Sequence, residues 1–400
     1  MVRYNLDQVT DEMILGESIM LPSGKLLLGA GYRVSGRYRD RLKQMGFRSI
    51  LVQEEGTEEV KPASVVNERD HAALCDSMND TTEKIGQIVS KFREEKQQDM
   101  HNLLFAHRKD MNRYIMNPTI ARQLETIIDQ IMNQQQIVLN MAALKEASGS
   151  FYERAVNVTV TALCIGKKHR FSYDEIKQLG TGALNYHLGL IALPQALLRK
   201  ERPLTDEEKV LYHQHTAYGY LILAQNPQIP ATSAIVALQH HEQQNGGGYP
   251  LGLRGNNEPP VKDISKTHVI HRFAEIVAVA DVYHTLLEEI SSAAENVSNT
   301  DVTKATVKKL IALGGKHLNS EIIKTLISIV PVYPIGTRVR ITEAPSAKLK
   351  QFIGVVAKDN PFDLSRPVIL LFQTLRGEKV SPPIIVDTAK SENIHFELLC

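Results

Sequence analysis

The chain has 400 residues, of which 43% are hydrophobic and 23% are charged, a balance typical of globular proteins rather than disordered ones. At about 150 residues per domain, this length predicts two or three domains. The 46 basic and 45 acidic side chains give a net charge of +1 with all 14 histidines neutral, which excludes binding to nucleic acid or membrane through overall charge and leaves local patches open.

Residues 1–64 are predicted to form a small α+β module. Strands and turns follow from β-rich runs separated by Pro, Ser and Gly, and the helix is expected to end at a glycine. The expected strands are Glu17–Leu21 and Lys25–Leu28 around the turn Pro22-Ser23-Gly24, then Ser49–Val52, with a helix over Ser35–Gly46. The basic side chains of this helix are interpreted as a solvated face, with a phosphate contact as the alternative.

Residues 65–149 are predicted to be a helical packing or linker segment, because Gly86 and Pro118 are the only strong helix breakers from Asp70 to Ser148. Apolar side chains recur here at three- and four-residue steps, the spacing of an amphipathic helix. They are Leu124, Ile127, Ile128, Ile131, Val138 and Met141. We expect this stripe to pack on the next domain, with pairing to a second copy in a homodimer as the alternative. The gap at Gln134 argues against a coiled coil.

The remainder divides into a mostly helical domain, residues 150–330, and a β-rich domain, residues 331–400. A glycine-rich interruption at Gly246–Gly255 breaks the helical pattern. Four short β-rich runs predict an antiparallel sheet or barrel: Arg338–Thr342, Phe352–Ala357, Val368–Phe372 and Ile384–Val386. The predicted fold class is therefore mainly α, with a helical bundle core flanked by the N-terminal α+β module and this C-terminal domain.

Several signals for export and membranes are missing from the sequence. The start, MVRYNLDQVTDE, lacks a basic-then-apolar layout, so no signal peptide is expected. No apolar run reaches the ~18 residues that a membrane span needs. Cys75, Cys164 and Cys400 form no CxxC pair, which predicts neither a disulfide framework nor a zinc knuckle. We expect a soluble protein of a reducing compartment.

Histidines crowd into one stretch of the helical domain. They are His187, His213, His215, His240, His241, His268, His271 and His284. Asp281 lies nearby in the apolar run AEIVAVADVYHTLL, where a carboxylate needs a partner. Histidines and a half-buried aspartate on separate helices are how a helical bundle builds a metal site. The alternative is that these histidines only cap helices and form hydrogen bonds.

His240 and His241 are adjacent, and neighbouring residues on a helix diverge by about 100°. Two neighbours can therefore share one ligand only where the helix ends. Asn245 and three glycines, Gly246–Gly248, follow at once, so the pair is expected near a terminus where the backbone deforms. Either both histidines ligate, or one ligates while the other contacts a bound molecule.

The segment HHEQQNGGGYPLGLRG, His240–Gly255, resembles the HD-GYP family signature HHExxDGxGYPxGLxG. The likeness extends over about residues 150–330, and the tail opening YPIGTRVRI resembles β-rich tails that follow such domains. The resemblance implies a helical HD-type domain of the bacterial cytoplasm that hydrolyses cyclic di-GMP at a bi- or trinuclear iron or manganese centre. It also implies docking of a diguanylate cyclase partner through the GYP loop, and no binding to DNA.

Carried over residue by residue, the resemblance assigns most of the metal ligands. His215 matches a helix-borne histidine ligand, His240 and His241 match the paired histidines, and Asp281 matches the late aspartate. Gly248, Tyr249 and Pro250 keep the GYP sequence. Together with Arg254, they are the expected partner-docking residues of the loop.

Other positions depart from the family. The namesake HD pair falls on Tyr186 and His187, so a histidine replaces the metal-bridging aspartate. The first histidine ligand falls on Arg154, and the lysine after the HD pair is Leu190. Three further departures are Asn245 for the signature aspartate, Glu275 for an arginine and His284 for an aspartate.

These departures predict a damaged catalytic centre. A bridging carboxylate offers two anionic oxygens to two cations, whereas an imidazole offers one lone pair to one. Arg154 stays protonated and repels a cation at the first site. We therefore expect His187, His215, His240, His241 and Asp281 to hold one divalent ion, iron or manganese. Arg154 and Tyr186 are then free to contact a nucleotide phosphate, or they are ordinary substitutions in a relic pocket.

Three functions follow. The first is a degenerate HD-GYP protein that binds a cyclic dinucleotide or a partner with little or no hydrolysis. The second is an active phosphodiesterase with a rearranged one-metal site, since one metal-bound hydroxide can attack a phosphodiester. The third is a signalling scaffold that binds no nucleotide.

Overall fold

A computed structural model describes residues 1–20, 26–45, 47–62, 64–95, 99–139, 151–200, 202–260, 269–293, 298–360, 362–390 and 393–399. The helices in these ranges are α1 (Gly36–Gln44), α2 (Glu68–Glu95), α3 (Met100–Ala106), α4 (Arg108–Asn112), α5 (Pro118–Asn133), α6 (Phe151–Lys168), α7 (Tyr173–Asn185), α8 (Gln195–Leu198), α9 (Asp206–Ala224), α10 (Ala231–Gln239), α11 (Arg272–Ala293), α12 (Asn299–Leu313) and α13 (Ser320–Ile327). The strands are β1 (Val2–Asn5), β2 (Ile19–Met20), β3 (Leu26–Leu28), β4 (Ser49–Val52), β5 (Arg338–Glu343), β6 (Phe352–Lys358), β7 (Val368–Thr374), β8 (Lys379–Asp387) and β9 (His395–Leu398).

The N-terminal module is two small antiparallel pairs and one helix. β1 pairs with β4, with Val2 opposite Val52, and β2 pairs with β3. The predicted helix and the predicted strand Ser49–Val52 are confirmed, whereas β1 was not predicted. On α1, Lys43 pairs with Asp7 and Arg39 with Asp11, the latter at 3.1 Å. The basic face is thus solvated and ion-paired, as interpreted. The predicted turn Pro22–Gly24 and the predicted helix end Gly46 lie outside the described residues.

The helical segment after this module divides into α2–α5, because side chains cap new starts within it. Asp99 accepts a hydrogen bond from the His101 backbone at the start of α3, and Asn117 does the same for Thr119 at the start of α5. The predicted stripe on α5 is buried at Leu124, Ile127, Ile128 and Ile131.

This stripe joins the core that α6, α7 and α11 form, so the packing interpretation is confirmed within the single chain. The helix ends at Asn133. Val138, at the far end of the stripe, is half-buried beyond it, and Met141 lies outside the described residues.

The C-terminal residues form a five-stranded antiparallel sheet with the order β8-β7-β6-β5-β9. All four predicted runs lie on strands, and β9 was not predicted. One face of this sheet packs on the N-terminal module, because Val355 and Phe372 share a buried cluster with Val2 and Leu15. The Arg3 amide also donates to the Gly336 carbonyl at 2.7 Å.

The fold class is therefore as predicted: a helical core with a small α+β module before it and a β-rich domain after it. The four-part division at residues 64, 149 and 330 stays a prediction. Cys75 and Cys164 are buried and form no disulfide within the described residues, and Cys400 lies outside them. None of the described helices combines the length and apolar character that crossing a membrane requires.

Candidate metal centre

Four imidazoles meet inside the helical core, and we call them the histidine group: His187, His215, His240 and His241. One ring nitrogen from each lies within 4.8 Å of the others. His215 comes from the middle of α9, His240 from the residue that ends α10, and His187 from the turn between α7 and the 3₁₀ helix Leu188–Ala192. His187, His215 and His240 are buried, and His241 is half-buried.

Backbone carbonyls fix the orientation of two of these rings. Nδ1 of His215 donates to the Tyr212 carbonyl at 2.7 Å, and Nδ1 of His240 donates to the Ala237 carbonyl at 3.0 Å. Because a carbonyl only accepts, each Nδ1 carries the proton and each Nε2 carries a lone pair. These two Nε2 atoms face each other at 3.4 Å. Metal-bound histidines are oriented in this way, with the distal nitrogen hydrogen-bonded and the other aimed at the ion.

Burial keeps the rings in the protonation state that binds metal. It lowers the pKa of His215 to about 4. Burial, followed by the neighbouring imidazoles, also lowers the pKa values of His187, His240 and His241 well below the ordinary value. Metal ligands must be deprotonated, and these rings are neutral at pH 7. Nε2 of His241 is buried and has no hydrogen-bond partner among the described residues.

Two local features bring the rings together. α10 ends at Gln239, and the rings of His240 and His241 converge with centroids 4.1 Å apart. The expectation that the pair lies at a helix terminus is thus met. Gly189 packs directly on α9, where a Cβ atom would lie 1.9 Å from the His215 carbonyl oxygen. Only glycine permits this approach, which sets the 3₁₀ turn bearing His187 against α9.

Asp281 is linked to the histidine group through Tyr186 and is not among its four members. The Tyr186 hydroxyl donates to Oδ1 of Asp281 at 2.6 Å, and the Tyr186 ring stacks on His187 at 3.8 Å between centroids. Burial raises the pKa of Asp281, and the Tyr186 hydroxyl and the charge of Arg154 oppose that rise. The structure therefore brings together four of the five predicted ligands. The fifth, Asp281, is separated from them by the side chain of Tyr186.

Arg154 has a partner that the sequence did not reveal. Its guanidinium pairs with Glu288 and donates from Nη1 to Thr285 Oγ1 at 3.1 Å. Thr285 and Glu288 lie one and two turns after Asp281 on α11. The planar fork that we expected to meet a phosphate is engaged by a carboxylate in this structure.

The GYP loop is held by the glutamate that follows the paired histidines. Both carboxylate oxygens of Glu242 accept hydrogen bonds, from the Leu251 amide at 2.7 Å and the Leu253 amide at 2.8 Å. Gly248 passes so close to the chain that its Cβ would lie 2.4 Å from the His241 carbonyl oxygen. We did not predict a role for Glu242, although the third letter of the HHE sequence was the available signal.

Tyr249 covers the histidine group. Its ring stacks on His213 with centroids 3.6 Å apart and planes 11° apart, and on His241 at 4.7 Å. The side chain is half-buried, whereas Pro250 and Arg254 are exposed. The predicted loop residues therefore divide into one that packs on the site and two that face solvent. His213 was not among the predicted site residues.

The remaining departures from the signature have partners outside the histidine group. Nε2 of His284 lies 2.9 Å from Thr161 Oγ1, and Glu275 accepts from Gln244 Nε2 at 2.6 Å. Asn245 caps the loop by accepting from the Gly247 amide at 2.9 Å. Leu190 is buried in an apolar cluster. His268 lies outside the described residues.

Comparison with known proteins places this arrangement in a family. Residues 136–301 match the HD domain family. The chain contains an HD domain. It is 24% identical over 334 residues to a cyclic di-GMP phosphodiesterase of Pseudomonas aeruginosa, a match that covers 84% of this chain and 68% of the relative. The chain is also 34% identical over 142 residues to the cyclic di-GMP phosphodiesterase response regulator RpfG of Xanthomonas campestris, a match that covers 35% of this chain and 33% of that protein.

A solved structure, an HDG"Y"P protein from Bdellovibrio bacteriovorus, aligns with 82% of this chain and 98% of its own, with a TM-score of 0.45 and 15% identity. The names of the sequence relatives agree with the predicted resemblance to cyclic di-GMP phosphodiesterases of the HD-GYP type, which is confirmed.

Proposed function

We propose that this protein acts in cyclic di-GMP signalling as an HD-domain protein that holds one metal ion and binds a cyclic dinucleotide with little or no hydrolysis. The observation that carries this proposal is the histidine group: four neutral imidazoles with ring nitrogens within 4.8 Å. Relatives named as cyclic di-GMP phosphodiesterases support the choice of ligand. Binding rather than turnover is inferred from the ligand chemistry of this chain.

The four histidine donors fit one metal ion, and they include no bridging ligand that could hold a second ion beside it. Four protein ligands complete a tetrahedral ion, whereas catalytic sites keep one position open for water. No carboxylate is among the four donors, so nothing in the group offers two anionic oxygens to two cations. Asp281, the nearest candidate, is engaged by the Tyr186 hydroxyl.

The same donor set bears on which metal is bound. Imidazole nitrogen suits iron, zinc, copper and nickel, whereas carboxylate and water oxygens suit manganese and magnesium. Of the two metals that the HD-GYP resemblance implies, iron is therefore the better match for His187, His215, His240 and His241. When bound, the ion would add positive charge beside a nucleotide phosphate, because four protein ligands leave it no position for a phosphate oxygen.

Within this chain, Tyr186 orients the neighbouring groups. It donates to Asp281 and stacks on His187, so it fixes a carboxylate and a ligand ring together. Arg154 neutralises Glu288 on the same helix face as Asp281. A phosphate that reaches this face would compete with Glu288 for the guanidinium, which links nucleotide binding to release of that ion pair.

We assign the docking surface for a protein partner of the diguanylate cyclase type to the outer edge of the GYP loop. Pro250 and Arg254 are exposed there, and Leu251 is 58% exposed. An apolar side chain beside a cation is a common docking arrangement. Tyr249 is left out of this surface because its ring is stacked over the histidine group.

The test combines metal analysis, titration and turnover on purified protein. We expect one transition-metal ion per chain in the wild type and none in His215→Ala. The exposed His395→Ala is the matched control, with unchanged content. Calorimetric titration with cyclic di-GMP is expected to release heat without product forming. Steady turnover that His240→Ala abolishes would establish the phosphodiesterase instead. Absence of both heat and turnover would instead support a signalling scaffold that binds no nucleotide.

A further inference from the structure

A groove of about 610 Å³ lies between the helical core and the turn that follows β6. One wall is α12, with the ends of α6 and α13 beside it. The other wall is the turn after β6, at Phe362–Ser365. Its volume is within the range of about 300–1,000 Å³ typical of small-molecule sites. None of the groups used by the proposed function lines it.

The floor of this groove is aliphatic and reaches solvent. Val307 and Ile311 of α12 face Ile327 and Val332 across it. Ile311 is 56% exposed, and Phe362 on the opposite wall is 92% exposed. Large apolar side chains left in water along one concave surface mark a binding site for an apolar group.

The rim carries positive charge. Lys168, Lys304 and Lys308 line the groove, and Lys304 Nζ lies 5.1 Å from the centre of the Tyr333 ring. Within the described part of the chain, neither Lys168 nor Lys308 forms an ion pair. The rim is therefore cationic in a protein whose total charge is nearly balanced.

The one carboxylate among the residues that line this groove is paired within its own turn, and three lysines outnumber it. Asp363 Oδ1 accepts from the Ser365 hydroxyl at 2.6 Å and from the Ser365 amide at 3.0 Å. Its other oxygen lies 3.8 Å from Arg366 Nε. Because Asp363 is held within its own turn, the lysine ammonium groups are left to meet an anion from outside.

We propose that this groove binds a small amphipathic anion, a molecule with an apolar body and a carboxylate or phosphate head. The aliphatic floor takes the body, and the lysine rim takes the head. A cyclic dinucleotide fits less well, because its bases carry donors and acceptors that Val307 and Ile311 leave unpaired. The ligand touches both α12 and the turn Phe362–Ser365, so it links the helical core to the C-terminal domain.

Calorimetric titration of the full chain tests this assignment. The probes are dodecanoate and dodecyl phosphate, which share an apolar tail and differ in the head, with dodecyltrimethylammonium as the cationic control. We expect both anions to bind and the cation not to bind. The stronger of the two anions identifies the head group that the rim prefers.

Variants locate the site. Lys304→Glu with Lys308→Glu should weaken dodecanoate binding by about tenfold or more, since it replaces attraction by repulsion at the rim. Lys309→Glu is the matched control: this lysine is exposed on the same helix and does not line the groove. Val307→Asp should also abolish binding.

Three outcomes would overturn the proposal: no binding of either anion, equal loss in Lys309→Glu, or displacement of dodecanoate by cyclic di-GMP. Unchanged thermal unfolding in each variant shows that the fold is retained.

Discussion

Replacing Glu242 by glutamine tests whether one carboxylate holds the GYP loop over the histidine group. Glu242 is 3% exposed, and its two oxygens accept from the amides of Leu251 and Leu253 at 2.7 and 2.8 Å. Glutamine keeps the shape but offers one oxygen and one NH₂ group. In either orientation, one backbone N–H then faces a donor.

The size of the effect follows from that lost bond. A hydrogen bond to a charged group contributes about 1.5–3 kcal/mol. At about 1.4 kcal/mol per tenfold, the open form of the loop should become roughly 10 to 150 times more populated. Hydrogen exchange measured by mass spectrometry on the peptide that contains Leu251 and Leu253 should accelerate by that factor.

The control variant changes a second glutamate close to this loop. Glu258 is exposed and accepts from Asn256 Nδ2 at 3.0 Å, so Glu258→Gln should leave exchange at Leu251 and Leu253 unchanged. A second readout is the rate at which a chelator removes metal, which should rise in Glu242→Gln because Tyr249 is released from its stack. Equal exchange in wild type and Glu242→Gln would refute the assignment of Glu242 as the clamp.

Four further predictions concern single positions. Gly248→Ala should destabilise the loop by about 1–3 kcal/mol through overpacking against the His241 carbonyl. By contrast, Gly86→Ala should raise the free energy of unfolding by about 0.5–1 kcal/mol, because Gly86 lies inside α2 with open space where the Cβ would be. Thermal unfolding measures this change, and a less stable variant would contradict the packing described. Tyr186→Phe should lower the free energy of unfolding by about 1–3 kcal/mol, because buried Asp281 loses its hydroxyl donor. Chemical denaturation measures this change, and an unchanged denaturation midpoint would argue against the Tyr186–Asp281 hydrogen bond. Burial raises the pKa of Glu275 to about 7, so between about pH 4.5 and 7 the folded state holds a proton that the unfolded state has released. The free energy of unfolding should therefore fall over this pH range, by at most ~3 kcal/mol. Glu275→Gln should flatten the dependence of the free energy of unfolding on pH in this range, and an unchanged slope in the variant would contradict the prediction.

Much of the fold followed from local pattern. The spacing of Leu124, Ile127 and Ile131 predicted a buried helix face, and β-branched runs predicted four strands of the C-terminal sheet. β1 and β9 were missed although their burial alternates, because an alternation over only four residues does not distinguish a strand from a loop. The segment 65–149 was predicted to be mainly helical, but the sequence analysis did not place the side-chain caps of Asp99 and Asn117 that start new helices within it.

The site was predictable where its residues are neighbours in sequence and not where they meet across the fold. The glycine run after His241 indicated a helix end, and α10 ends there. Asp281 was expected to need a partner, but nothing in the sequence indicated the Tyr186 hydroxyl 95 residues earlier. The Arg154–Glu288 pair spans 134 residues and was equally invisible. Such contacts depend on how helices cross, which no local pattern records.

The buried cluster shared by Val2, Leu15, Val355 and Phe372 means that residues near the two ends of the described chain complete one hydrophobic core. During synthesis, the first strands must wait for more than 300 residues before Val355 arrives to complete their core. A fragment that stops after α13 would leave those apolar side chains in water.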